Sequence, residues 1–343
     1  MRKRSSALFI LVLALFQASA VLAQEKLLTI DDIFDPAKRV NFSGTPANPR
    51  WLKDGVHYIV LSKDRNASPR LLKVNAVTGK TEPFYNAARM EAAFDALSGF
   101  SKEVAKRLAN QTLYQMNAEE TAVLINQAND LFYYEFGSDR AVRLTHNPEE
   151  EVGEAFSPDG KMISFVRNNN LYVEDLATQR ERALTRDGNE KVLNGRLDWV
   201  YQEEVYGRGN FGAYWWSPDS TRLAFLRIDE HPVPEFTVVD HIPYEQDVEV
   251  TPYPKTGDPN PTVKLGVAGA AGGEVQWVDT YKYQPEDLLI VRVGWMPDGK
   301  KVWYQAQNRI QTFLDLNSVN PDDGKSTTLF RESTKAWVEA VDD

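Results

Sequence analysis

Phe156-Ser157-Pro158-Asp159-Gly160, followed by the apolar run Met162-Ile163-Ser164-Phe165-Val166, is the phrase that decides the fold. Pro fixes φ at the first corner of a turn, Asp bonds its own backbone, and Gly supplies a permissive φ before a strand begins. The same phrase returns as Trp51-Leu52-Lys53-Asp54-Gly55, Trp216-Ser217-Pro218-Asp219-Ser220 and Trp295-Met296-Pro297-Asp298-Gly299. Short runs of Val, Ile, Tyr, Phe and Trp lie between these turns, at Val56–Leu61, Thr121–Ile125, Leu131–Phe136, Met162–Val166 and Leu171–Leu176. A second phrase closes two of the units, Arg143-Leu144-Thr145 and Ala183-Leu184-Thr185. Strands and turns recurring roughly every 40 to 80 residues predict an all-β fold, a β-propeller with insertions. An ordinary β-sandwich gives no reason for a recurring turn phrase. Counting from Trp51 gives four to five blades, with the propeller domain covering residues 51–343.

Other stretches stand outside the repeat. Leu28–Phe34 predicts a short helix with Thr29 as N-cap, in an N-terminal segment of residues 24–50. Residues 89–111, with Met90–Phe94 and Ser101–Leu108, predict a small helical insertion between the first blades, Ser101 serving as an N-cap. Residues 251–264 carry four prolines and predict a stiff extended loop leading into a strand. Gly266–Gly273 reads as a hairpin tip rather than a phosphate loop, and Trp337–Asp343 as the start of another strand. Because an unfinished propeller leaves raw sheet edges, the chain is expected to be the front part of a longer protein.

Arg2, Lys3 and Arg4 precede the apolar run Ala7–Phe16, and Val21-Leu22-Ala23 ends in a small residue. Residues 1–23 therefore read as a signal peptide cleaved before Gln24, leaving no membrane anchor. There is no cysteine, which removes disulfides and thiolate metal sites and favours a bacterial periplasmic or secreted protein held by its core alone. A formal charge of −10 and the absence of a basic patch argue against nucleic acid as a partner. No cofactor or metal is expected. His57, His146, His231 and His241 read as structural, and no Gly-x-Ser-x-Gly elbow occurs, so no catalytic residue is expected in this chain.

The stretch Asp198-Trp199-Val200-Tyr201-Gln202-Glu203-Glu204-Val205-Tyr206 has another character. Adjacent like charges repel, and a bound ammonium relieves that repulsion, so Glu203 and Glu204 in an aromatic setting suit capture of a protonated amine. The plain alternative is a solvated surface pair.

Three phrases resemble the dipeptidyl peptidase IV family of serine exopeptidases: Asp198–Val205, Trp215–Asp219 with Leu223-Ala224-Phe225, and Val250–Leu265. The resemblance implies an eight-bladed propeller over a C-terminal α/β-hydrolase domain that is absent from this chain. It also implies that a short helical projection carries Glu203 and Glu204 to the free α-ammonium of a peptide, so that N-terminal dipeptides are released. Gln202 stands where many relatives have a third acid. The family's carbonyl-binding arginine has no counterpart in Leu124–Asp130, where Asn126 or Gln127 are the available donors. Peptides with a free N-terminus, the hydrolase domain and a homodimer are the implied partners. The rival reading is a non-catalytic periplasmic β-propeller that binds proteins, like those of the Tol system. A relative that has lost its catalytic serine and survives as a binding protein is a third.

Overall fold

The computed structural model describes residues 28–35, 37, 49–62, 71–111 and 113–340. The expected signal peptide lies outside them. The chain divides into two units, Met1–Asn48 and Pro49–Asp343. In the first, the helix Ile30–Phe34 starts at Thr29 in a reciprocal capping box. Asp32 N donates to Thr29 Oγ1 (3.2 Å), and Thr29 N donates to Asp32 Oδ2 (3.0 Å).

The second unit is an all-β propeller with five antiparallel blades among the described residues: 50–83, 115–143, 151–183, 192–277 and 288–333. The recurring turns do in space what their composition dictates. In each copy the fourth-position amide closes on the first carbonyl: Gly55 on Leu52, Gly160 on Ser157, Ser220 on Ser217 and Gly299 on Met296. Their positive φ values, 65, 69, 61 and 69°, are the left-handed conformation that glycine adopts freely. Ser220 is the exception in sequence, and its hydroxyl has other business: Ser220 Oγ accepts from Asp159 N (3.0 Å) in the preceding blade. The Leu-Thr phrase is equally regular. Thr145 Oγ1 accepts from Leu131 N (2.8 Å) and Thr185 Oγ1 from Leu171 N (2.9 Å), each pinning the last strand of its blade to the third.

The tryptophans ahead of two of the turns tie the third, fourth and fifth blades together. Trp216 Nε1 donates to Ser164 Oγ (2.7 Å) and Trp295 Nε1 to Trp215 O (3.0 Å). Between the first and second blades lie the helices Ala87–Asp95 and Lys102–Leu108, the latter capped by Ser101. Their apolar faces bury Met90, Phe94, Ala105 and Leu108 completely against Phe132 and Tyr134 of the second blade.

Three expectations need correction. The strand Thr262–Gly269 runs through Gly266, so the hairpin tip is confined to the turn after Gly269. Only glycine fits at 266, since a Cβ there would lie 2.9 Å from the Phe225 ring. The proline-rich loop is shorter than expected, because Asp247–Pro252 forms a strand that pairs with Glu235–Asp240 as an exposed two-stranded ribbon. Residues 337–340 form no strand. Val338 instead docks through its own peptide groups: its N donates to Gln311 O (2.8 Å) and its O accepts from the side-chain amide Gln307 Nε2 (2.7 Å).

Candidate functional site

The fourth blade has an interrupted first strand. Val192–Asn194 and Tyr214–Trp216 both pair with Arg222–Asp229, through Asn194↔Arg227 and Tyr214↔Phe225. The two pieces are therefore one edge strand from which residues 195–213 are looped out. Backbone bonds close the excursion at its base, Gly195 N to Leu226 O (2.9 Å) and Leu226 N to Ala213 O (2.9 Å). At its tip is the predicted helical projection, a π-helical turn Tyr201–Val205 whose defining bond runs from Tyr206 N to Tyr201 O (2.8 Å). Inserted single turns of this kind are rare and cluster at functional sites.

The turn is anchored at both ends. Asp198 accepts from Val200 N (3.0 Å) and Tyr201 N (3.1 Å) and is 5% exposed. Burial raises its pKa against the opposing pull of those two backbone bonds. Glu230 is buried nearby, and desolvation followed by the charge of Asp198 pushes it up to about 7. On the other side stands the strand Leu288–Trp295 of the fifth blade, whose register slips between Ile290 and Arg292. Its outer edge offers backbone groups that the looped-out turn takes up. Ile290 N donates to the buried Tyr201 hydroxyl (3.4 Å), and Tyr206 Oη donates to Ile290 O (3.2 Å). Arg292 Nη1 donates to Val205 O (2.8 Å), and its guanidinium lies 5.5 Å from the centre of the Tyr206 ring. This arginine neutralises the carbonyl end of the turn, the favourable place for a cation.

Glu203 and Glu204 thus sit on a short, rigidly held turn. Glu203 keeps 17% of its side chain exposed and is paired with Arg208, whose Nε donates to Oε1 (2.7 Å). Glu204 is exposed. Gln202 is buried, and its Oε1 accepts from Gly209 N (2.8 Å), so a neutral amide serves where a carboxylate would be desolvated. Trp199 packs against Tyr253 with the rings tilted by 51° and their centres 4.4 Å apart, which brings the first and third resemblance phrases into contact.

The segment read as lacking a carbonyl-binding arginine is otherwise engaged. Asn126 Nδ2 donates to Glu151 O (2.6 Å), and Gln127 Oε1 accepts from Arg107 Nη2 (2.5 Å), an arginine of the inserted helix. His57 begins a strand and bonds Asp54 Oδ2 (2.7 Å), and His231 bonds Asp229 Oδ1 (2.6 Å) in an exposed turn. Among the described residues no group of three or more His, Asp or Glu side chains is placed to hold a metal ion. A separate open groove of about 1060 Å³ lies where the third and fourth blades meet, lined by Arg167, Glu181, Arg186 and Trp277 among others.

Sequence reasoning singled out Glu203 and Glu204 as candidates, and the structure places both on this turn. It missed Arg292, which only the folded register brings to a carbonyl 87 residues back, and it missed the local roles of Asp198 and Arg208, which depend on the conformation of the turn.

The chain is 35% identical over 204 residues to "Probable dipeptidyl-aminopeptidase B" of Emericella nidulans, covering 54% of this chain and 22% of that protein. It is 30% identical over 209 residues to "Dipeptidyl peptidase 4" of Trichophyton tonsurans, covering 57% of this chain and 26% of that protein. The chain thus spans about a quarter of the length of the curated relatives it matches. The crystal structure of Porphyromonas gingivalis dipeptidyl peptidase 4 superposes with a TM-score of 0.70 at 22% identity, over 91% of this chain and 43% of that one, a likeness of fold. Residues 109–343 match the family model for the dipeptidyl peptidase IV N-terminal region, and the chain belongs to that family.

Proposed function

We propose that this chain is the substrate-gripping propeller portion of an exported, bacterial-type dipeptidyl peptidase IV-like serine exopeptidase. In this reading Glu203 and Glu204 bind the free amino end of a peptide. The observation that carries it is the π turn: two adjacent carboxylates on a rigid projection, anchored by Asp198 at one end and Arg292 at the other. Two fixed acceptors form a stop for an ammonium, and a stop at a set distance from a nucleophile limits cleavage to short N-terminal pieces. Charge-assisted bonds supply the grip. The nucleophile belongs to a C-terminal hydrolase domain, the first partner this reading requires. The basic–apolar leader and the lack of cysteine support export. Exposed Phe236, Val238, Val248 and Val250 on the two-stranded ribbon support a homodimer as a further partner arrangement.

The test has two arms. Residues 24–343 alone should not turn over a dipeptidyl-proline chromogenic substrate, and robust turnover would place the catalytic group in this chain. In protein carrying the hydrolase domain, Glu203→Gln or Glu204→Gln should lower kcat/KM for free-amine substrates about 30-fold or more, since removing one partner of a desolvated ion pair costs about 2–5 kcal/mol. Amino-blocked peptides should be unaffected. An equal loss for both substrates would leave a binding propeller with no role for these acids.

A further inference from the structure

We propose that Arg208 is an internal stand-in for the incoming ammonium: it occupies Glu203 while the site is empty and is displaced when a cationic amino end arrives. This rests on the reading of Glu203 and Glu204 given above, and it adds a competitor to that site.

Four observations place Arg208 in this role. Both its Nε (2.7 Å) and its Nη2 donate to Glu203, and both converge on Oε1, so Arg208 does not engage Oε2. The exposure is lopsided, 17% for the Glu203 side chain and 84% for that of Arg208. The carboxylate is the fixed member of the pair and the guanidinium the movable one. Arg208 lies between Gly207 (φ 95°) and Gly209 (φ 82°), and nothing stands within 4 Å of where a Cβ would be on either. A residue flanked by two such glycines in open space swings at little conformational cost. Finally, the loop is closed back on the π turn, Gly209 N to Gln202 Oε1 (2.8 Å) and Asn210 N to Gly207 O (3.0 Å), so its return position is defined. Glu203 also raises the guanidinium's already high proton affinity, so the latch carries its charge at every working pH.

The chemistry suits a weak gate. Arg208 is largely exposed, and an exposed ion pair is worth little, so the guanidinium leaves for water with little loss. An arriving ammonium first meets Oε2 and Glu204, then takes over Oε1 as Arg208 swings out. Small cations that engage only one carboxylate gain too little to displace it. The substrate amine gains two carboxylates and prevails. Competition of this size lowers amine affinity by about two- to fivefold.

The experiment titrates the chain and its Arg208→Ala variant with alanyl-proline amide and with N-acetyl-alanyl-proline amide, following tryptophan indole N–H resonances by NMR. We expect the variant to bind the free amine about two- to fivefold more tightly, with the acetylated peptide unchanged. In a Glu203→Gln background Arg208→Ala should have no effect, and in 1 M salt, where the screening length is about 3 Å, the gap should close. If both proteins prefer the free amine but the variant binds it equally or more weakly, the latch is overturned and the amine site stands. If neither protein distinguishes free from acetylated peptide, the underlying site assignment fails and the latch with it. Unchanged indole resonances in the unliganded variant establish that the fold is intact.

Discussion

Replacing Glu174 with Gln should make the propeller more stable, and more so as the pH rises. Glu174 lies on the third strand of blade three, 1% exposed, with Oε1 lacking a hydrogen-bond partner. Its surroundings are acidic. Glu181 is its cross-strand neighbour, fully buried Glu151 is close by, and Asp175 follows in sequence. The local cation is committed elsewhere: Arg167 bonds Glu181 through both terminal nitrogens (2.8 and 2.5 Å) and Glu151 through Nη1 (3.1 Å). Desolvation first, then repulsion from Glu181 and Glu151, pushes the Glu174 carboxyl up from 4.5 to about 8.

The folded state therefore holds this proton more tightly than the unfolded chain does. Its contribution to stability is fully present below about pH 4.5 and lost as pH climbs through about 8. At about 1.4 kcal/mol per decade the ceiling is about 5 kcal/mol, and water entry around an ionised carboxylate brings the expected loss to about 2 kcal/mol. Gln has the same shape and never ionises. Urea unfolding of wild type and Glu174→Gln, followed by tryptophan fluorescence at pH 5, 7 and 9, reads the difference directly. The variant's advantage should grow by about 2 kcal/mol from pH 5 to pH 9. A difference that stays flat across this range, or shrinks, would refute the reasoning, because a neutral, hydrogen-bonded Glu174 has no pH-dependent penalty to remove.

Other outcomes follow from the same geometry. Asp198→Ala strips two amides of their acceptor and should cost about 1–3 kcal/mol in urea unfolding, whereas Asp198→Asn, which keeps an acceptor oxygen, should cost less than half of that. Equal losses would show that charge rather than capping holds the turn. Gly324→Ala should destabilise by about 2 kcal/mol or more, since φ is 70° there and a Cβ would lie 2.1 Å from Trp277 O in the neighbouring blade. A Tm within a degree of wild type would contradict that packing. In the pH profile of amine binding, Glu230→Gln should flatten any inflection near pH 7, the region where this buried carboxyl beside Asp198 ionises. An inflection unchanged in the variant would assign it to another group.

The propeller was legible because its turns are local chemistry. A Pro-Asp-Gly corner closes on itself within four residues, and a Leu-Thr phrase pins the strand beside it, so composition alone reports both. Position 220 breaks the phrase because its hydroxyl bonds the Asp159 amide of another blade, a partner 61 residues away. The ribbon formed by Glu235–Asp240 and Asp247–Pro252 was hidden for the opposite reason: almost all of its side chains are exposed, so no alternation of buried and solvated positions marks it. Glu203 and Glu204 could be picked out as a candidate pair from their adjacency and aromatic setting. Their supports could not. Asp198 works through backbone amides, Ile290 offers buried backbone groups on the strand edge of another blade, and Arg292 reaches a carbonyl 87 residues back.

The most direct measurement watches the two carboxylates themselves. With the glutamate side-chain carboxyls labelled with ¹³C, and Glu203 and Glu204 assigned from their Gln variants, the chain is titrated with one peptide amide in free-amine and N-acetylated forms. Both resonances should move together with the free amine and stay still with the blocked peptide. Resonances that ignore the amine, or respond alike to both peptides, would contradict the assignment of Glu203 and Glu204 as the amino-end clamp.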